Sequence, residues 1–140
     1  MENTILYKEE LIDKVIEYID KSNIQFIVIF GSILKDSFNN ESDIDIGIMF
    51  KSDTDFFEAR KQISLNLYEL INNDLDIVAL NTADIIITMQ IIANGKLMYC
   101  ENNENYTSFK VRKLSEYADF KQSRQWLENN FLNHKVYARS

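Results

Sequence analysis

The chain has 140 residues, 46% of them hydrophobic and 26% charged, with a net charge of −7, the ordinary balance of one globular domain spanning 1–140. No apolar run approaches the ~20 residues of a membrane span, and the early acidic residues of MENTILYKEELIDK leave no room for a signal-peptide core, so the expectation is a cytoplasmic protein with no membrane association. The single cysteine, Cys100, excludes an internal disulfide or a cysteine cluster for zinc, and the acidic balance argues against nucleic acid as a direct partner while suiting a basic partner protein.

Residues 8–21 set Leu11, Val15, Ile16 and Ile19 at helical spacing and predict a first helix. QFIVIF, 25–30, is a short β-branched and aromatic run ending at Gly31, the pattern of a buried strand. Residues 33–42 read as a helical turn followed by a polar loop, and DIDIGIMF, 43–50, alternates as a second strand. A helix is predicted over 54–72 from Phe57, Arg60, Ile63, Ser64, Leu67 and Leu70, with Asp53 as its N-cap. LDIVAL, 75–80, is a third strand. ADIIITMQIIAN, 83–94, is strongly apolar and stops at Gly95, which reads as a glycine just past a helix end; its β-branched residues leave helix and strand both open. KLMYC, 96–100, is a short fourth strand, and Leu114, Tyr117, Phe120, Leu127 and Phe131 mark a long amphipathic helix from about Tyr106 to Leu132. The final NHKVYARS is read as a loose tail. The order predicts an α/β (α+β) sandwich with a small mixed sheet flanked by helices, without repeats or linkers.

The chemistry concentrates in 26–50, FIVIFGSILKDSFNNESDIDIGIMF. Residues two apart on a strand share a face, so Asp43 and Asp45 should stand together with Ile44 and Ile46 turned inward. Adjacent carboxylates repel unless a cation lies between them, and Mg²⁺ takes one or two carboxylates together with substrate phosphates. Asp-x-Asp alone says little, since the chain has three such pairs. Asp53/Asp55 is explained by helix capping and Asp74/Asp76 enters a strand, whereas only Asp43/Asp45 is framed by isoleucines and preceded by Gly-Ser. Glycine after a strand lets backbone N–H groups approach a phosphate, helped by a following helix N-terminus, and the Ser32 hydroxyl can donate to a phosphate oxygen; a strand-ending glycine with a serine cap is the structural alternative. Asp76 is the candidate third carboxylate, with Asp74 its competitor.

Gly-Ser, ten residues, then Asp-Ile-Asp resembles the signature of polymerase-beta-like nucleotidyltransferases. FGS at 30–32, SDIDI at 42–46, LDIVALNTA at 75–83 and IIANGKLMY at 91–99 resemble more closely the minimal nucleotidyltransferase (MNT) family, the antitoxin half of HEPN/MNT toxin–antitoxin pairs. The resemblance covers most of the chain. It implies the nucleotidyltransferase fold with a long C-terminal helix, and Mg-dependent transfer of AMP from ATP to a tyrosine of a HEPN ribonuclease toxin in a hetero-oligomer. It implies that Gly31, Ser32 and Lys35 bind the nucleotide, that Asp43, Asp45 and Asp76 bind two Mg²⁺ ions, and that Asp76 helps deprotonate the acceptor. Leu34 and Asp36 depart from the alanine-like and glycine-like positions of many relatives, and an acid there would oppose phosphate by like charge. The competing expectations are an antitoxin that neutralises by contact without transfer, and a small-molecule transferase of the antibiotic-modifying kind.

The remaining residues are given structural readings. His134, the only histidine, and Tyr137 lie in the polar tail. Cys100 is read as a small buried hydrophobe, Trp126 as core or partner-facing packing, and Lys110, Arg112 and Lys113 as a small basic cluster, a solvated helix face in preference to a contact for ATP or a partner.

Overall fold

Strand β1 (Ile24–Phe30) organises the fold because IQFIVIF is apolar on both faces, and Phe26, Ile27, Val28 and Ile29 are all buried. In the computed structural model, which describes residues 2–132, β1 is central in a four-stranded sheet of order β3-β2-β1-β4. β2 (Ile44–Phe50) and β4 (Lys96–Cys100) run antiparallel to β1, and β3 (Leu75–Ala79) runs parallel to β2. The sheet is therefore mixed, as expected. The tail from 133 onward, with His134 and Tyr137, lies outside the described residues.

Alternation assigns the two faces. Ile27, Ile29, Ile44, Ile46, Ile48 and Ile77 join one core cluster with Leu11 and Val15 of α1 (Glu2–Tyr18) and Ile63 and Leu67 of α2 (Phe56–Leu67). Phe26, Val28, Met49 and Leu80 form a second cluster with Ile91 of α3 (Ile85–Asn94) and Phe109 of α4 (Asn103–Leu127). Among the described residues no helix is long and apolar enough to cross a membrane.

Several boundaries differ from the expectation for identifiable reasons. α1 begins before residue 8 and stops at Tyr18, where Lys21 Nζ folds back to donate to the carbonyls of Ile16 and Ile19, satisfying acceptors the last turn leaves open. α2 is capped by Asp55 rather than Asp53, its carboxylate accepting from the Glu58 N–H at 3.1 Å. It ends at Leu67 instead of 72, in tight turns where Tyr68 N–H bonds Leu65 O and Leu70 N–H bonds Leu67 O. The apolar 83–94 run is a helix, because Asp84 caps it through the Ile87 N–H at 2.8 Å. Gly95 is not a left-handed terminator, since its φ is −85°. Glycine is required there by crowding: a Cβ would lie 2.5 Å from Ile91 O and 2.6 Å from Val28 Cγ1.

α4 differs most. It starts at Asn103 with Asn102 as its cap, and its N-terminal third is anchored by edge-on contacts of Tyr106 and Phe109 with Phe26 at 5.0 and 5.2 Å. The stripe expected to be buried is not: Leu114, Phe120, Leu127 and Phe131 are exposed, as is Trp126, which packs edge-on against Phe131 across a π-type turn at Glu128–Leu132. Cys100 is half-buried, with its thiol donating to Asn102 O at 2.9 Å.

Candidate active site

The site lies where β1, β2 and β3 meet at one end of the sheet. Phe30 is in register with Asp45, and Asp45 with Asp76. Sequence-distant carboxylates are thus brought to neighbouring positions of adjacent parallel strands, on the face that also carries Gly47, Met49, Val78 and Leu80. Asp43 sits one residue before β2, in the loop that enters it, so the Asp43/Asp45 pair spans a loop–strand junction rather than two positions of one strand. Asp43 and Asp76 are exposed and Asp45 is half-buried. Asp74 is exposed, and its carbonyl accepts from the Ile44 N–H at 2.8 Å. It pins the start of β2 through its backbone, whereas Asp76 is the residue in register with Asp45.

Burial first, then the charges of Asp76 and Asp43, and a hydrogen bond with Asp76 push the Asp45 carboxyl above its ordinary value of 3.8. A carboxylate that resists ionisation because it is partly buried and two others face it is one for which a cation is the natural counterpart. The donor set is all oxygen, the chemistry Mg²⁺ prefers, so the residues present fit that ion. Among the described residues, no three such side chains are gathered tightly enough to hold a metal as they stand; Asp45 and Asp76 are paired, and Asp43 stands at the edge.

Gly31 closes the site from the β1 side. Its φ is +80°, and a Cβ there would fall 2.1 Å from Asp45 Oδ2. The strand therefore turns directly above the carboxylate, a path only glycine permits without strain. The following element is a four-residue 3-10 turn, Gly31–Leu34. It is too short for the helix-dipole contribution the sequence suggested, so any phosphate grip there falls to the turn's own N–H groups and the Ser32 hydroxyl. That hydroxyl donates only a long 3.5 Å bond to Asp43 O, and it is not used as a helix cap. Ile33 is buried as the turn's anchor, whereas Leu34, Lys35 and Asp36 are all exposed. Lys35 contributes backbone bonds that shape the loop, its carbonyl accepting from Phe38 N–H at 3.3 Å and from Lys8 Nζ.

Sequence reasoning missed Asn73. Its side chain is buried, and its Nδ2 lies within bonding distance of the carbonyls of Ser42 (2.7 Å), Asn39 (3.2 Å) and Asn40 (3.3 Å). It ties the loop delivering Asp43 to the segment delivering Asp76. The only sequence trace is an asparagine in a polar turn before a strand, which has no periodicity to mark it. Among the described residues, a cleft of about 790 Å³ beside α2 and one of about 510 Å³ under α4 lie away from these side chains. The carboxylates instead form an open shelf at the strand ends.

A glycine-serine turn beside acidic residues at the ends of a mixed sheet is the construction of a nucleotidyltransferase. The family described as polymerase beta, nucleotidyltransferase, matches residues 13–104, and the chain belongs to that family. Protein adenylyltransferase MntA of Shewanella oneidensis is 28% identical over 102 residues, 73% of this chain and 72% of that protein. A crystal structure of a toxin–antitoxin with AMP-PNP superposes with a TM-score of 0.67 at 25% identity, covering 89% of this chain and 98% of that one. An MNT antitoxin in complex with the tri-AMPylated HEPN toxin of Shewanella oneidensis superposes with a TM-score of 0.64 at 23% identity, covering 92% and 98%.

Proposed function

We infer that this chain is the antitoxin of a HEPN/MNT pair, a cytoplasmic single-domain protein adenylyltransferase that moves AMP from ATP to a tyrosine of its HEPN partner. The observation carrying this reading is the register match of Asp45 with Asp76 beneath the left-handed Gly31, a shelf for a metal-bound triphosphate in a chain similar to MntA. Asp43, Asp45 and Asp76 would hold Mg²⁺, which when bound supplies charge neutralisation and eases ionisation of the acceptor. The turn N–H groups and the Ser32 hydroxyl orient the phosphates. The tyrosine oxygen attacks the α-phosphorus in line, the bond to pyrophosphate breaks, and the phenolic proton passes to Asp76. Positioning and charge stabilisation provide most of the acceleration in such transfers.

The experiment incubates the chain with its HEPN partner, labelled ATP and Mg²⁺, and follows the partner by intact mass. The expected result is added AMP with the native protein and none with Asp43→Asn/Asp45→Asn. Undiminished transfer by that double variant would overturn the site. Neutralisation of the partner with no mass added, by the native protein, would establish the contact-only antitoxin instead.

A further inference from the structure

Of the two strands that border the sheet, β4 carries none of the site carboxylates and β3 carries Asp76. In the parallel ladder the Ile44 N–H donates to Asp74 O and the Leu80 N–H to Ile48 O, both at 2.8 Å. Backbone groups alternate in direction along a strand. Residues 74, 76, 78 and 80 therefore face β2, and the N–H and C=O groups of Leu75 and Ile77 point outward. No further strand lies on that side among the described residues. An unpaired row of this kind is a template for one more strand, and here it runs beside Asp76. Side chains alternate as well. Asp76 stands on the carboxylate face, whereas Leu75 and Ile77 pack with α2 on the other. An open cleft lies beside each of these two. One, of about 410 Å³, is lined by Leu67, Tyr68, Ile71 and Leu75 with the polar turn at 72–74. The other, of about 350 Å³, is lined by Phe57, Arg60, Lys61 and Ile77. Leu75 and Ile77 are about 6.6 Å apart along the strand, the spacing of alternate side chains on a neighbouring strand. Neither Arg60 nor Lys61 makes a salt bridge among the described residues, so a basic pair borders this edge in a chain of net charge −7.

We propose that the acceptor docks here as a fifth strand, an extended tyrosine-bearing segment that adds to the outer edge of β3. The inference rests on the transferase reading above and names how that site receives its acceptor. Main-chain bonds from Leu75 and Ile77 supply affinity, and the clefts for alternate side chains supply specificity. The segment residue opposite Asp76 has its side chain on the carboxylate face, since directly opposed residues share a face with Cβ atoms about 4.5–5.5 Å apart. The tyrosine occupies that position. Its two neighbours in sequence turn to the α2 face and enter the clefts. The neighbour beside Tyr68 and Ile71 is apolar. The neighbour beside Arg60 and Lys61 is acidic, the charge that a basic pair selects.

The test uses the full chain with ATP, Mg²⁺ and two acceptors, the intact HEPN partner and a synthetic peptide centred on the partner's modified tyrosine, with transfer followed by mass. The peptide should accept AMP. Single N-methyl groups placed along its backbone should act with a period of two. Those on residues whose N–H faces β3 should lower kcat/KM about tenfold, the size of one lost hydrogen bond, and those on the residues between should leave it unchanged. Lys61→Glu, at an exposed position, should raise the KM for the intact partner about tenfold, and exchanging the partner's acidic neighbour of the tyrosine for lysine should restore it. A peptide left unmodified while the intact partner is modified, N-methyl effects without the two-residue period, a native KM in Lys61→Glu, or no rescue by the charge exchange each overturn the docking and leave the transferase reading intact. A native chain that adds AMP to neither acceptor overturns the transferase reading itself, and the docking with it.

Discussion

Replacing Gly31 by alanine tests the geometry on which the site depends. Two costs are separable. A left-handed backbone, here φ +80°, costs an L-residue about 1–2 kcal/mol. The new methyl would also meet Asp45 Oδ2 at 2.1 Å and Cγ at 3.0 Å, and swinging the carboxylate aside costs about 0.5–1.5 kcal/mol in an unfavourable rotamer. Together these predict a loss of roughly 1.5–3.5 kcal/mol. In urea unfolding, Gly31→Ala should lose that amount, while in an Asp45→Ala background the same change should cost only the backbone share of about 1–2 kcal/mol, since the clashing oxygens are gone. Transfer of AMP should fall about 100-fold in Gly31→Ala, the order expected when a catalytic group is misplaced by an ångström. A Gly31→Ala protein with native stability and native turnover, or an equal stability cost in both backgrounds, would refute the argument that Gly31 and Asp45 occupy the same space.

Asp45→Asn should stabilise the metal-free fold at neutral pH. The folded-state pKa of Asp45 is raised, so its stability contribution is complete below the ordinary value of 3.8 and is lost as pH rises through the elevated folded value. Thermal melts without metal should show the variant's advantage above that window and not below it, and added Mg²⁺ should raise the melting temperature of the native protein more than that of the variant; an advantage independent of pH would contradict the repulsion. Asn73→Ala should cost about 0.5–1.5 kcal/mol by removing the buried amide's hydrogen bonding to the loop carbonyls, and should raise the Mg²⁺ concentration needed for half-maximal transfer because the loop carrying Asp43 is released. Measured in a metal titration beside a melt, loss of stability with an unchanged Mg²⁺ requirement would show that the asparagine supports the fold alone.

The sequence by itself determined the strands, because alternating and unbroken isoleucine runs such as QFIVIF and DIDIGIMF have one stable burial. It also determined the elements of the candidate site, because glycine is so scarce in this chain that Gly31 after a strand carries information, as does an acid pair among isoleucines. Local chemistry did not decide between Asp53 and Asp55 as a cap, because both offer the same oxygen and only the backbone's entry angle selects one. Tertiary structure alone set Asp76 against Asp45, since register between parallel strands depends on how α2 returns the chain. It alone placed Asn73 across the loop to Asp43, a contact between segments with no shared periodicity. It also decided that the apolar residues of α4 beyond Phe109 remain outside the core, because a helical stripe specifies a face for burial and not whether the body of the same chain reaches far enough to cover it.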